Sequence, residues 1–173
     1  MKADEAEEFA VFVRARSASL FRTALLLTGD RDQADDLVQS ALERVCRHWS
    51  RARSMQSPEA YARRILVNLV NDRWRWLRGR REVPMPDDSP AEADPYRQLV
   101  ERDELIHRLH ALPVNMRTVL VLRYYDDLSD ESIADLMNTS TSTVRSQAAR
   151  GLAKLRAADA GTKDMKEASR ARL

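Results

Sequence analysis

The chain has 173 residues, 43% of them hydrophobic, which is enough for one ordinary domain or two small ones with packed cores. A formal net charge of +2 argues against an indiscriminate polycation, so any nucleic-acid contact must come from charges sorted into local blocks. The single cysteine, Cys46, excludes an internal disulfide framework, and no apolar run approaches the ~20 residues a membrane span needs.

Glycine is scarce, and Ala, Leu, Arg, Glu and Asp dominate, which favours helices. The start is acidic (Asp4, Glu5, Glu7, Glu8) and does not read as a signal peptide. With a lone thiol among Leu42, Val45 and Trp49, expected to be buried and inert, the chain fits a reducing cytoplasm.

In chain order, a first helix is predicted over 3–27, with Phe9, Phe12, Leu20, Phe21, Ala24 and Leu27 on its apolar face. Thr28-Gly29-Asp30 ends it. A second helix follows over 31–49, with Ala34, Leu37, Val38, Ala41 and Val45 inward and Asp32, Asp35, Asp36, Gln39 and Glu43 outward. Residues 50–57 are polar and read as a flexible loop. Ser57 and Pro58 then suit the cap and first turn of a helix running to about residue 77. Its core stripe is Ala62, Ile65, Leu66, Leu69 and Val70, and its outward stripe is Arg64, Asn68, Asn71, Arg75 and Arg78.

Residues 82–96 change character, holding four of the six prolines and many acids. Proline blocks helix continuation, so this tract reads as a linker between a first domain, 1–81, and a second, 98–158, with 82–97 between them. Helices are expected over 97–111 and 114–125, divided by Leu112-Pro113. The last stretch, 159–173, is polar and reads as a frayed tail. The fold expected is all-α: two small helical domains.

Residues 128–156 have the pattern of a helix-turn-helix. Ser129 can cap a first helix carrying Ile133, Ala134, Leu136 and Met137, although Ser132 stands where a capping box would have Glu or Gln. Asn138 falls at the turn, where the left-handed conformation is needed. Ser140 can cap a second helix that buries Val144 and turns Arg145, Ser146 and Arg150 outward. That helix is basic and free of acids through residue 156, which suits a recognition helix in the DNA major groove.

A second basic surface precedes the linker. Residues 63–81 hold seven arginines against one acid, Asp72, interleaved with Trp74, Trp76, Asn68 and Asn71. Guanidinium groups attract phosphate, and indole faces can stack on unpaired bases for ~1–3 kcal/mol each. Such a helix suits DNA whose strands have parted. Catalysis finds little support: there is no phosphate loop, no nucleophile beside a local base and no metal-ligand cluster. His107 and His110 are a local pair with no further ligand at metal spacing and are expected to be solvated.

These residues resemble the extracytoplasmic-function (ECF) sigma factors of bacterial RNA polymerase, and within them the SigE-like actinobacterial subgroup. Four segments carry the resemblance over about residues 5–157: 27–39 (LTGDRDQADDLVQ), 61–71 (YARRILVNLVN), 111–125 (ALPVNMRTVLVLRYY) and the helix-turn-helix. The resemblance implies that Asp35, Asp36, Leu37 and Gln39 bind the polymerase clamp helices. It implies that the loop bearing Arg53, Ser54 and Met55 captures a flipped base of the −10 element. The helix after it would read and melt that element through Arg64, Asn68, Asn71, Trp74, Arg75 and Arg78. In the second domain, Thr141, Ser142, Thr143, Arg145, Ser146 and Arg150 would meet the −35 element, with Lys154 on phosphate, while the domain docks on the polymerase flap. Val67 departs from the pattern, standing where a basic residue is frequent. Many such factors are restrained by an anti-sigma protein, so that partner is admitted too; no cofactor, metal or membrane is implied.

Two rival functions use the same residues differently. A polymerase-independent helix-turn-helix regulator would leave the Asp-Asp-Leu-Val-Gln segment unexplained. A helical interaction protein that antagonises transcription factors would not need two basic DNA-facing surfaces.

Overall fold

The structure is a computed structural model describing residues 3–55, 57–79 and 97–170, with side chains over 4–55, 57–76 and 104–158. Every regular element among the described residues is helical. The chain divides into two compact units, residues 1–103 and 104–173. The proline-rich tract lies outside the described residues.

In the first unit, α1 (Ala3–Thr28) ends where Gly29 takes the left-handed conformation, φ 73°, and its N–H bonds back to the Leu25 carbonyl at 2.8 Å. Only glycine adopts that backbone without cost. Asp30 then caps α2 (Arg31–Arg47), its carboxylate accepting from the Gln33 N–H at 2.8 Å. The inner stripe of α2 packs on α1, so Leu20, Ala24 and Leu27 meet Ala34, Val38 and Ala41 in one apolar layer.

The second helix was expected to reach Trp49; it stops at His48, whose φ of −116° and ψ of 23° leave the helix. A four-residue helix, α3 (Trp49–Ala52), follows, its last three residues falling where loop was expected. The redirected chain lays Trp49, 5% exposed, against Phe9 and Phe12 of α1, both rings 5.2 Å from the indole. Helical periodicity runs unbroken through His48, so it gave no sign of this bend. Cys46 is half-buried, where a buried thiol was expected.

Ser57 caps α4 (Pro58–Gly79), its hydroxyl accepting from the Ala60 N–H at 3.1 Å. This helix packs on α1 and α2 through Ala62, Leu66, Val67 and Val70, all essentially without solvent contact. Leu69 of the expected stripe is only half-buried, and Val67 replaces it in the core. The departure at Val67 is therefore a packing residue.

The boundary between the units falls within α5 (Arg97–His110), which leads through Pro113 into α6 (Val114–Leu120) of the second unit. A π-helical turn, Val121–Tyr125, continues α6 where an unbroken α-helix was expected. Asp127, at φ 52°, turns the chain into α7 (Asp130–Met137), which is followed by α8 (Thr141–Arg170). The helix α8 packs across α6 and α7 around Leu120, Ile133, Val144 and Ala148. Residues 159–170, expected to be a frayed tail, continue the α8 backbone.

Candidate nucleic-acid interface

The helix-turn-helix forms as its capping residues dictate. Ser129 accepts from the Ser132 N–H at 3.1 Å and donates its own hydroxyl to the Ser132 hydroxyl at 3.1 Å, a half-box in which the side chain at residue 132 meets the cap's side chain and not its backbone N–H. Asn138 occupies the left-handed region, φ 51° and ψ 54°, and its N–H returns to Ala134. Ser140 caps α8, accepting from the Thr143 N–H at 3.2 Å. Val144 and Ala148 fix which face of α8 is inward, so Ser142, Thr143, Arg145, Arg150 and Lys154 are exposed, while Thr141 and Ser146 are half-buried.

Two of these arginines already have partners on the protein. Arg145 Nε lies 3.1 Å from Asp130 on α7, whose other oxygen is 3.1 Å from Arg123 of the π-helical turn. Arg150 donates to the Ser146 hydroxyl one turn earlier on α8, Nε at 3.2 Å. The expected −35 contacts are therefore brought together on one helix, with Arg145 and Arg150 both held at their inner ends.

The outward stripe on α4 forms as the periodicity predicts, with Arg64, Asn68 and Arg75 exposed and Asn71 half-buried opposite the core. Arg75 bonds to Asp72 at 2.7 Å, an exposed pair worth little to stability. Trp74 is half-buried, whereas Trp76 is 58% exposed, a large apolar face in water. Arg78 lies on the same helix, with its side chain outside the described residues. Arg63 leaves the basic set: its side chain is only 12% exposed and is paired to Glu59 at 3.0 Å. Glu59 also holds Arg16 of α1 at 3.1 Å.

In the turn before α4, Ser54 donates to the Arg51 carbonyl at 2.8 Å, and Met55 is half-buried. Arg53 lies between two carboxylates of α1, Glu8 at 3.2 Å and Glu5 at 3.6 Å. Nothing in the sequence spacing linked residue 53 to residues 5 and 8.

On α2, Asp35, Asp36 and Gln39 form an exposed acidic face together with Asp32 and Glu43. Leu37, grouped with them above, does not belong there: it is 9% exposed and sits in the core. One helical step of about 100° past Asp36 carries it onto the inner stripe.

The second unit holds a buried polar pair where solvated histidines were expected. Arg117, 2% exposed, places Nη1 2.7 to 2.8 Å from the nitrogens of the His110 ring. Burial, and then the nearby Arg117 cation and His107, lower the His110 pKa to about 4, and burial lowers that of Arg117 to about 10. Two adjacent cations would repel, so His110 is neutral and its ring faces the guanidinium. Among the described residues, no three metal-ligating side chains gather, and no helix is long and apolar enough to cross a membrane.

Comparison with known proteins agrees with this geometry. Residues 12–80 match the model for sigma-70 region 2, and residues 102–155 match that for sigma-70 region 4. The RNA polymerase sigma-E factor of Streptomyces coelicolor is 36% identical over 154 residues, covering 88% of this chain and 86% of that protein. Sigma factor SigV of Bacillus subtilis is 26% identical over 142 residues, covering 79% and 81%. Among solved structures, sigma factor RpoE of Bartonella quintana in complex with the anti-sigma factor NepR superposes with TM-score 0.66 at 21% identity, covering 87% of this chain and 95% of that one. CnrH in complex with the cytosolic domain of CnrY gives 0.64 at 20%, covering 90% of each.

Proposed function

The chain belongs to the extracytoplasmic-function sigma factors, and from that premise we propose which of its surfaces perform each step of promoter-directed initiation. As a family member it directs RNA polymerase to promoters; the assignment of residues is our reading. A region 2 domain, residues 1–81, binds core polymerase and opens the −10 element. A linker, 82–97, joins it to a region 4 domain, 98–158, that docks on the flap and holds the −35 element.

The acidic face of α2, with Asp35, Asp36 and Gln39, docks on the basic clamp helices. Supporting this, these groups are exposed while every apolar neighbour on α2's inner stripe is engaged in the core. Complementary charge speeds encounter and fixes register more than it adds affinity.

The outward stripe of α4 engages the −10 element. Unstacking a base costs a few kcal/mol, which contacts to the separated strand must offset. Arg64 and Arg75 supply phosphate contacts, Asn68 and Asn71 hydrogen-bond base edges, and Trp74 or Trp76 provides a stacking surface. Arg53, Ser54 and Met55 form the site for the flipped base, and Arg53 must exchange its carboxylate partners for phosphate to take part. In the major groove, Thr141, Ser142, Thr143, Arg145, Ser146 and Arg150 of α8 face the −35 bases, with Lys154 on the backbone.

The protein acts by binding rather than by catalysis, and in the cytoplasm, where the polymerase is. An anti-sigma factor is a further partner, by analogy with the two complexes described above. The observation that carries the whole reading is the presence, on one chain, of a capped recognition helix and a basic, tryptophan-bearing helix face. Run-off transcription with host core polymerase on a promoter library tests it. The expected result is a defined start-site preference that core enzyme alone lacks. A chain that neither joins core nor confers that preference would be a regulator of another kind.

A further inference from the structure

Asp130 is the first residue of α7, with a side chain only 13% exposed. Each of its carboxylate oxygens meets a different arginine at 3.1 Å: Arg123 from the π-helical turn and Arg145 from α8. Arg145 is engaged through Nε, and its Nη2 stands 4.0 Å from Glu131. The Nε/Nη2 edge of that guanidinium thus faces two acids of α7. Its Nη1/Nη2 end, the fork that matches the O6 and N7 acceptors of guanine, is left for a base. The Arg145 side chain is otherwise 64% exposed, and without this carboxylate only the exposed Glu131, at 4.0 Å, would remain on α7 to bias its rotamer.

We propose that Asp130 is a positioning residue for sequence readout: it orients Arg145 before DNA arrives, and so sets how sharply one −35 base pair is discriminated. This rests on the reading of Arg145 as a base contact. An arginine fixed in advance loses less side-chain freedom on binding, and it cannot swing to a phosphate when the base is wrong. The carboxylate also repels phosphate, which weakens binding to any sequence alike. Arg123 serves as a second cation for the carboxylate, keeping a largely buried negative charge compensated.

The test uses full-length protein assembled with host core polymerase. The probes are promoter duplexes selected from a library randomised across the −35 element. Asp130→Asn keeps the shape and a hydrogen-bond acceptor but removes the charge. It is expected to lower discrimination at one −35 position roughly five- to tenfold, while binding to unselected duplex strengthens. Arg145→Ala is expected to lose discrimination at the same position, and the double variant to lose no more than Arg145→Ala alone. Arg123→Gln is expected to retain discrimination, because Arg145 keeps its carboxylate.

A merely structural brace would behave differently: Asp130→Asn and Arg123→Gln would lower the melting temperature together and leave base preference intact. That result, or additive losses in the double variant, overturns the proposal. An Arg145→Ala variant with unchanged base preference would instead remove Arg145 from the base contacts.

Discussion

Gly151 of α8 stands so close to α6 that a Cβ there would lie 2.9 Å from Leu120 Cδ1 and 3.2 Å from its Cγ. Leu120 is itself 4% exposed, so it has little room to give way. A glycine in a helix interior costs about 1 kcal/mol relative to alanine, and here it secures the close crossing of two helices. Gly151→Val is expected to destabilise the second unit by about 1–3 kcal/mol, read as a lower urea midpoint for that unit. An unchanged midpoint would mean that α6 and α8 separate at no cost.

Burial of His110, and then the Arg117 cation beside it, make the second unit sensitive to acid. The folded-state pKa of His110 is about 4, below the ordinary 6.5, so the unfolded chain binds the extra proton across that interval. This contribution to stability is whole above pH 6.5 and drains away as the pH falls toward 4. Because the ring retains some contact with water, the expected loss is about 1–2 kcal/mol. All three tryptophans precede residue 80, so indole fluorescence follows the first unit. The acid-sensitive transition should therefore appear in circular dichroism and not in indole emission, and His110→Gln should flatten it.

Asn138 holds the left-handed turn between α7 and α8 at φ 51°. Asn138→Ala should lower stability by about 1 kcal/mol, while Asn138→Gly should be neutral or better. Equal melting temperatures for the two variants would show that the turn conformation costs nothing.

The two kinds of tryptophan should separate stability from function. Trp49→Ala removes a ring packed on Phe9 and Phe12 and should cost about 3–5 kcal/mol in thermal or urea unfolding. Trp76→Ala, at a 58% exposed site, should leave unfolding unchanged within about 0.5 kcal/mol. It should nevertheless slow strand opening, measured by permanganate reactivity of −10 thymines. Normal opening would remove Trp76 from the stacking surface.

On α2, Asp36→Arg should weaken holoenzyme assembly without changing the melting temperature, because Asp36 is exposed and makes no core contact. Assembly at the original affinity would count against the acidic face as the docking edge.

Much of the fold was legible because local chemistry dictates it. The break at Thr28-Gly29-Asp30, capping residues at Ser57, Ser129 and Ser140, the left-handed position at Asn138, and apolar spacing on α1, α2 and α4 each act within a few residues. The outward stripe of α4 and the exposed face of α8 follow from the same periodicity, as the complement of the buried stripe. The break at His48 was not legible, because it answers to the packing of Trp49 against Phe9 and Phe12 of α1, and the π-helical turn carries no signal in the apolar spacing. The clamp-binding set implied by resemblance mixes two faces for a related reason: a contiguous motif in sequence is not a contiguous surface on a helix, and Leu37 lies on the buried stripe of α2.

The sequence by itself determined that this chain is helical, where most of its helices begin, and that two basic helix faces stand ready for nucleic acid. Only the tertiary structure decided where the charged side chains are committed: Arg53 to Glu5 and Glu8, Arg145 and Arg123 to Asp130, and Arg117 to the neutral ring of His110. Periodicity and capping operate over one or two turns of helix. An ion pair depends on which helices cross and at what depth, a property of packing that no short window of residues contains.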